Sequence, residues 1–243
     1  MCTIEKRGSL FILILDSDED DQHRLNPTLI SSILSALSEI KSQSTTGSAL
    51  ITVAHGGSGK FFCNGFDFRW AQAVSSQSDA RRRLRQMTDS FREVVAAFVS
   101  LPMPTVAAIS GHVAAAGLVL AFVHDYLLMR SDHGVMYMPE VNLGITLPDY
   151  FAAAMRAKIG SPMALRDVVA RGVKVRAKEA MEMGIVHSIH DNVESTIEAA
   201  MRLGEELVNK KWVGETYAEI RKSLYPELCS ALGLTHNLII SKI

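Results

Sequence analysis

The chain is short of cysteine, of net charge and of long apolar runs, and each shortage narrows what it can be. Three cysteines in 243 residues, Cys2, Cys63 and Cys229, are odd in number and far apart. They resemble neither a disulfide framework nor a zinc site, and they suit a reducing compartment. The 8 histidines show no metal-ligand spacing, so no metal is expected. Lysine and arginine number 25 against 26 aspartates and glutamates, a formal charge of -1. That gives no general electrostatic case for nucleic acid or an anionic membrane, and neither partner is expected. The longest unbroken apolar run, residues 113–123, falls far short of the ~20 residues a membrane helix needs. Near the N-terminus, Glu5, Lys6, Arg7 and Gly8 precede an apolar stretch too short for a secretory signal. The sequence shows no internal repeat of the length that builds solenoids.

What is present is apolar enough for a sizeable core: 48% of residues are hydrophobic and 21% charged, as in ordinary globular domains. Buried strands are expected over residues 9–15 and 49–54, over Thr105–Ile109, and over residues 126–130 and 134–138. Pro27 opens a helix to about Gln43, with Leu29, Ile30, Ile33, Leu34, Leu37 and Ile40 at helical spacing. Asp67 is a cap for residues 68–77, and a long amphipathic helix is expected over residues 79–100. Its Arg81, Arg82, Arg83 and Arg85 read as a solvated face or as a contact to a phosphorylated ligand. Residues 139–144 read as a lead into a loop, Asp149 as the N-cap of a helix to about Ile159, and Gly184, Ile185 and Val186 as a return to a strand. Strand and helix alternate to about residue 190 and helices alone follow, which predicts an α/β core over residues 1–190 and a helical region over 191–243.

Residues 16–21 read as an acidic, solvated turn, and residues 55–60 as a glycine-rich loop. Its Gly-Gly-Ser-Gly-Lys fails as a nucleotide-binding loop, because the required glycine and hydroxyl positions hold Ala54 and Phe61. Residues 105–121 are more informative. A buried strand breaks at Ser110 and Gly111, and then Ala114, Ala115, Ala116 and Gly117 start an apolar helix. The first N–H groups of a helix have no internal partner and lie at the positive end of its dipole, where an anionic oxygen is stabilised. Close helix packing is the other use of such small residues.

Three segments together resemble the crotonase, or enoyl-CoA hydratase/isomerase, superfamily. They are Gly65-Phe66-Asp67, the stretch Ser110-Gly111-His112-Val113-Ala114-Ala115-Ala116-Gly117, and Pro139-Glu140-Val141-Asn142-Leu143-Gly144. Within it the chain is similar to plant-type peroxisomal Δ3,Δ2-enoyl-CoA isomerases. That likeness is carried by the Phe-Cys-Asn-Gly-Phe-Asp turn, His124-Asp125-Tyr126, Leu147-Pro148-Asp149-Tyr150-Phe151 and the tail segment from Arg221 to Cys229. The resemblance implies an α/β spiral of ββα units with C-terminal helices that mediate trimers, either a homotrimer or a pair of trimers. It implies an acyl-CoA thioester as ligand, with coenzyme A part of the substrate and no separate cofactor. It also implies an oxyanion hole from the backbone N–H groups of Phe66 and Ala116, the latter standing where many members carry glycine.

Glu140 is the candidate base, and apolar Met136, Met138, Val141 and Leu143 would raise its pKa if they enclosed it. Asn64, Gly65, Phe66, Asp67, Phe68, Ala116, Pro139 and Tyr150 are the expected substrate contacts, although Tyr150 and Phe151 read equally as ordinary core. Family hydratases use a second glutamate three residues after the oxyanion alanine, and here Val119 stands there. That favours a double-bond shift, from 3-cis or 3-trans to 2-trans in fatty acid β-oxidation, with Glu140 as sole proton shuttle. The alternatives are a 2-enoyl-CoA hydratase and a non-catalytic acyl-CoA-binding or scaffold protein on the same fold. Dienoyl-CoA isomerases in the family carry an aspartate eight residues after the glutamate. Here Pro148 holds that place and Asp149 follows. Cys63 is a further candidate nucleophile, though neither His55 nor His112 is fixed to it. For the coenzyme phosphates Lys60, Arg69, Lys210, Lys211, Arg221 and Lys222 are open choices. The tail Ser241-Lys242-Ile243 is one conservative change from a peroxisomal address.

Overall fold

The structure, a computed structural model, describes residues 1–16, 21–55 and 59–240. Ser241-Lys242-Ile243, most of the acidic turn and the centre of the glycine-rich loop lie outside the described residues. The chain opens with strands β1 (Cys2–Arg7) and β2 (Leu10–Asp16), an antiparallel hairpin. Its first strand escapes the sequence reading because it lies at the sheet edge, with Glu5, Lys6 and Arg7 exposed; charged side chains on such an edge discourage further pairing. Helix α1 (Pro27–Ser42) follows, with proline at its start and the Asn26 side chain accepting from the Leu29 N–H at 2.9 Å. Then come β3 (Ala49–His55), β4 (Phe61–Cys63), α2 (Phe68–Gln72) and α3 (Gln77–Val99). Ser76, not a residue of the expected helix, caps α3 by accepting from Asp79 N–H at 3.0 Å.

Next are β5 (Thr105–Ile109), β6 (His112–Ala114), α4 (Ala116–Phe122), β7 (Tyr126–Arg130), β8 (Met136–Tyr137) and α5 (Glu140–Leu143). Three successive units therefore share one plan: β3–β4–α2, β5–β6–α4 and β7–β8–α5. Each sends a longer strand into a six-stranded sheet ordered β1-β2-β3-β5-β7-β9 and a short strand into a parallel three-stranded sheet ordered β4-β6-β8. All pairs of the large sheet after the first hairpin are parallel. This is the implied ββα spiral. The remaining elements are α6 (Asp149–Lys158), α7 (Pro162–Val169), α8 (Ala177–Glu182), β9 (Ser188–His190), α9 (Val193–Asn209), α10 (Gly214–Leu224) and α11 (Pro226–Leu232).

Two expectations are corrected here. Residues 139–144 contain a helical turn, α5, closed by Asn142 and Leu143 N–H groups on Pro139 O. Residues 184–186 are not a strand. The N–H groups of Ile185 and Val186 fold back onto Ala180 O at 2.8 and 3.4 Å, so the chain first bonds to β7 at His187, whose N–H donates to Leu127 O at 2.7 Å, and β9 begins at Ser188.

Strand β5 is buried throughout, as parallel strands covered on both faces must be. Its alternate residues divide the interior. Val106 and Ala108 join Leu10, Ile12, Ile51 and Leu128 beneath Ala199, Ala200 and Leu207 of α9. Ala107 and Ile109 join the larger cluster on the other face. The last helices are tied in by a buried ion pair. Arg221 of α10 donates to both Asp125 oxygens, at 2.8 and 2.6 Å, and to the carbonyls of Leu101, at 2.7 Å, and Met103. This removes Arg221 from the open choices for phosphate binding.

Candidate active site

The first half of the site is the turn after β4. It is fixed by the segment before α1, which the sequence reading passed over. Leu25 N–H donates to Gly65 O at 2.8 Å, Asp67 N–H to Leu25 O at 3.1 Å, and Asn64 N–H to Gln22 O at 2.9 Å. The Asn64 and Arg24 side chains both donate to Gln22 Oε1 at 2.6 Å. Asp67 is indeed a cap, accepting from Arg69 and Trp70 N–H groups at the start of α2. Phe68 is half-buried behind it. The Phe66 ring points into the core, 5.6 Å edge-on from Phe91 and 6.2 Å from Phe151 between ring centres. Its N–H has no partner among the described residues.

The second half is the β6–α4 junction. Ala115 has φ 54° and ψ -128°, a conformation that costs a non-glycine residue of order 1–3 kcal/mol. It is held there by its N–H donating to Tyr137 O of β8 at 3.1 Å. The strain turns the chain so that Ala116 opens α4 with an N–H that has no partner among the described residues. The two turns touch. Gly65 sits at φ +74°, and a Cβ there would lie 2.9 Å from Ala115 Cβ, 3.1 Å from Ala114 O and 3.4 Å from Ala116 N. Glycine at 65 thus lets the turn that carries Phe66 pack directly against the start of α4 at Ala116.

Glu140 begins α5, three residues after the Tyr137 carbonyl that pins Ala115. Its Oε2 is buried with no partner among the described residues. Burial pushes its carboxyl up to about 7, against a weaker opposing pull from its own N–H. Half of the expected apolar enclosure holds: Met136 and Met138 are buried, whereas Val141 and Leu143 are 48% and 56% exposed. Pro139 is half-buried beside it. The Tyr137 phenol is pushed up chiefly by burial, with Arg24 and Glu140 acting on it in opposite directions. Arg24 and Tyr137 are polar neighbours that no spacing in the sequence singled out.

Several sequence candidates are placed elsewhere. The Tyr150 side chain is fully buried, and its hydroxyl donates to Thr88 O at 2.8 Å. It packs as core and has no hydroxyl free for a ligand. Cys63 is buried, donates to His23 O at 3.0 Å, and is pushed up to about 12 by burial, so it is no nucleophile. His112 accepts from Val135 N–H and packs between Phe61 and His133. Asp149 is the first residue of its helix rather than the cap, with Oδ1 accepting from Tyr150 N–H and from Arg92. Val119 is fully buried among apolar neighbours on α4. Lys222 is paired with Glu219. Lys211 packs at Gly47, at the strand-start end of β3. Lys60 and Arg69 flank the first turn. No cluster of three or more His, Cys, Asp or Glu among the described residues could hold a metal ion.

The family model described as enoyl-CoA hydratase/isomerase matches residues 15–229. Enoyl-CoA delta isomerase 2, peroxisomal, of Arabidopsis thaliana is 56% identical over 96% of this chain and 96% of its own. Enoyl-CoA delta isomerase 1, peroxisomal, of the same plant is 45% identical over 94% of this chain and 91% of its own. Among solved structures, an apo Mtb enoyl-CoA isomerase superimposes with a TM-score of 0.81 at 18% identity, covering 96% of this chain and 94% of its own. An enoyl-CoA hydratase from Mycobacterium marinum does so with 0.80 at 18%, over 96% and 94%. Chains named for two reactions share the fold, so the fold does not choose between them.

Proposed function

The chain belongs to the enoyl-CoA hydratase/isomerase family, and from that premise we propose that it moves the double bond of a 3-cis- or 3-trans-enoyl-CoA to the 2-trans position in fatty acid β-oxidation. It is an isomerase, as its relatives at 45–56% identity are named. The Glu140 carboxylate takes a proton from C2. The electron pair spreads through C1 onto the thioester oxygen and, through the C3–C4 double bond, onto C4, and the dienolate is held by the N–H groups of Phe66 and Ala116. Glu140 then returns the proton to C4 as the pair settles between C2 and C3. Each preorganised donor of this kind is worth roughly 2.7–4 kcal/mol in known cases.

The observation that supports this reading is a single carboxyl with a buried, unpartnered oxygen among the described residues, pushed up to about 7 by burial, with valine at 119 where family hydratases carry a second acid. Hydration needs two acid–base groups, whereas a 1,3-proton shift needs one. The test is product analysis with 3-trans-hexenoyl-CoA and 2-trans-hexenoyl-CoA supplied separately. Conversion of the first with little hydration of the second supports the isomerase. Substantial 3-hydroxyacyl-CoA from the second means a hydratase, and binding without conversion of either means a scaffold.

Asn64, Gly65, Asp67, Phe68 and Pro139 form the substrate's surroundings, and Lys60 and Arg69, beside the first turn, meet the coenzyme phosphates. Catalysis belongs to residues 1–190. Residues 191–243, with Trp212, Val213, Ile220 and Leu224 exposed, serve assembly into a homotrimer or a pair of trimers. The location is the peroxisome, supported by the names of two relatives and by Ser241-Lys242-Ile243. An unchanged peroxisomal signal after deleting those three residues from a tagged copy would refute their role as the address.

A further inference from the structure

Given the isomerase reading above, on which it rests, we propose that Gln22 is a positioning residue for the reaction. Its side-chain oxygen ties Asn64, at the start of the turn that presents the Phe66 N–H, to Arg24, and so fixes the first of the two proposed oxyanion donors. Gln22 Oε1 accepts from Asn64 Nδ2 and from Arg24 Nη2, each at 2.6 Å. An amide oxygen has two lone pairs, so both bonds form at once. The main-chain oxygen of Gln22 also accepts from Asn64 N–H, at 2.9 Å. One residue therefore grips Asn64 by backbone and side chain together. Asn64 stands immediately before Gly65, the most permissive backbone in the site. A turn built on glycine holds its shape only if it is braced from outside. Leu25 braces its later half through Gly65 O and Asp67 N–H, and Gln22 braces its start.

The chain around Gln22 is shaped for that task. Asp21 and His23, on either side of it, have φ of 49° and 46°, a left-handed backbone sparsely used by residues other than glycine. His23 is held there by two further bonds to β4. Its Nδ1 donates to Phe61 O at 3.1 Å, and its carbonyl accepts from the Cys63 thiol at 3.0 Å. Residues 22–25 thus follow residues 61–67 almost contact by contact. Local strain of this kind persists where surrounding bonds over-determine it. Arg24, the other donor to Gln22, lies near enough to Tyr137 for its charge to act on the phenol. The Tyr137 carbonyl holds Ala115 N–H at 3.1 Å, one residue before the second proposed donor. The Gln22 oxygen therefore sits between the supports of both halves of the site. The Asn64 side-chain amide, committed to Gln22, serves the reaction by holding its turn.

The test measures kcat and KM with 3-trans-hexenoyl-CoA for the wild type, Gln22→Leu, Gln22→Glu, Asn64→Ala and the double variant Gln22→Leu/Asn64→Ala. Leucine keeps the bulk at 22 and removes the acceptor, whereas glutamate keeps an acceptor for both donors. Gln22→Leu and Asn64→Ala should each lower kcat about 10–10²-fold with KM changed by less than about threefold, because displacing a reacting group costs rate more than binding. Gln22→Glu should restore kcat to within about threefold of the wild type. The double variant should match the slower single one, since both changes break the same link. A Gln22→Leu kcat within about twofold of the wild type overturns the proposal, as do losses that multiply in the double variant. A loss confined to KM overturns it in favour of a direct substrate contact. A Gln22→Glu variant as slow as Gln22→Leu overturns the acceptor role. If Gln22→Leu fails to fold, Asn64→Ala reads the same link with Gln22 in place. A wild type that leaves 3-trans-hexenoyl-CoA unconverted overturns the isomerase reading itself, whereas an active wild type with unaffected variants overturns the positioning role alone.

Discussion

Glu140, the proposed base, has a placement that works against the fold that holds it. Its carboxyl is pushed up from 4.5 to about 7 by burial. Only the carboxylate accepts a proton, so kcat/KM should rise about tenfold per pH unit below about 7 and level off above it. The same shift carries a stability cost of definite sign. Between pH 4.5 and about 7 the folded chain keeps Glu140 protonated while the unfolded chain ionises. Stability therefore falls as pH rises through that window, and the full penalty applies above it. Glu140→Gln should lower kcat by about 10²–10⁴-fold or more. At pH 8 it should also stabilise the protein by about 2–3 kcal/mol, a figure reduced for partial solvent access, with no gain at pH 4. Urea unfolding at the two pH values reads the difference. A Glu140→Gln variant with undiminished turnover would falsify the base assignment.

At the scale of elements, the site is a contact between two turns, and its tolerance is set by backbone. Gly65→Ala would place a Cβ 2.9 Å from Ala115 Cβ and 3.1 Å from Ala114 O, at φ +74°. Neither neighbour is the end of a flexible side chain, so the turns must separate. The expected result is a loss of about 10²–10³ in kcat as the proposed oxyanion donors diverge, with KM changed far less. An equal loss in KM alone would mean that the turn binds substrate without stabilising the dienolate. The sequence showed this arrangement unevenly. That Gly65-Phe66-Asp67, Ala116 and Glu140 merited a closer look was legible, because each belongs to a short motif, and the structure brings the Gly65 turn against Ala114–Ala116 and buries the Glu140 carboxyl. Strand Thr105–Ile109 was legible from its uninterrupted apolar run. The clamp of residues 22–25 on the Gly65 turn was not, because its backbone bonds leave no mark on residue type. Nor was the core role of Tyr150, since apolar periodicity cannot tell a core tyrosine from a pocket wall. Strand β1 alternates too weakly to register, and α5 is a single turn.

At the scale of the whole molecule, one arginine joins the C-terminal helices to the spiral of ββα units. Arg221 of α10 is 3% exposed. It neutralises Asp125 at the α4–β7 junction and satisfies carbonyls between α3 and β5, so a single side chain links three units of the fold. Burial alone would push the Asp125 carboxyl up. The Arg221 charge and hydrogen bonds outweigh it and hold the carboxyl below its usual range. The pair therefore contributes stability above the unfolded aspartate pKa and loses it as pH falls through the lower folded value. Arg221→Met would leave Asp125 buried without its counter-charge, and removing one partner of such a pair typically costs about 3–5 kcal/mol. Adding Asp125→Asn should return a large part of that loss, because the uncompensated charge, and not the missing contact, is its main source. Urea denaturation of the wild type, both single variants and the double variant gives the coupling directly. Losses that simply add would show that Arg221 stabilises α10 through its carbonyl contacts alone. Strong coupling would show that the charge pair itself fastens the C-terminal helices to the residues that follow α4.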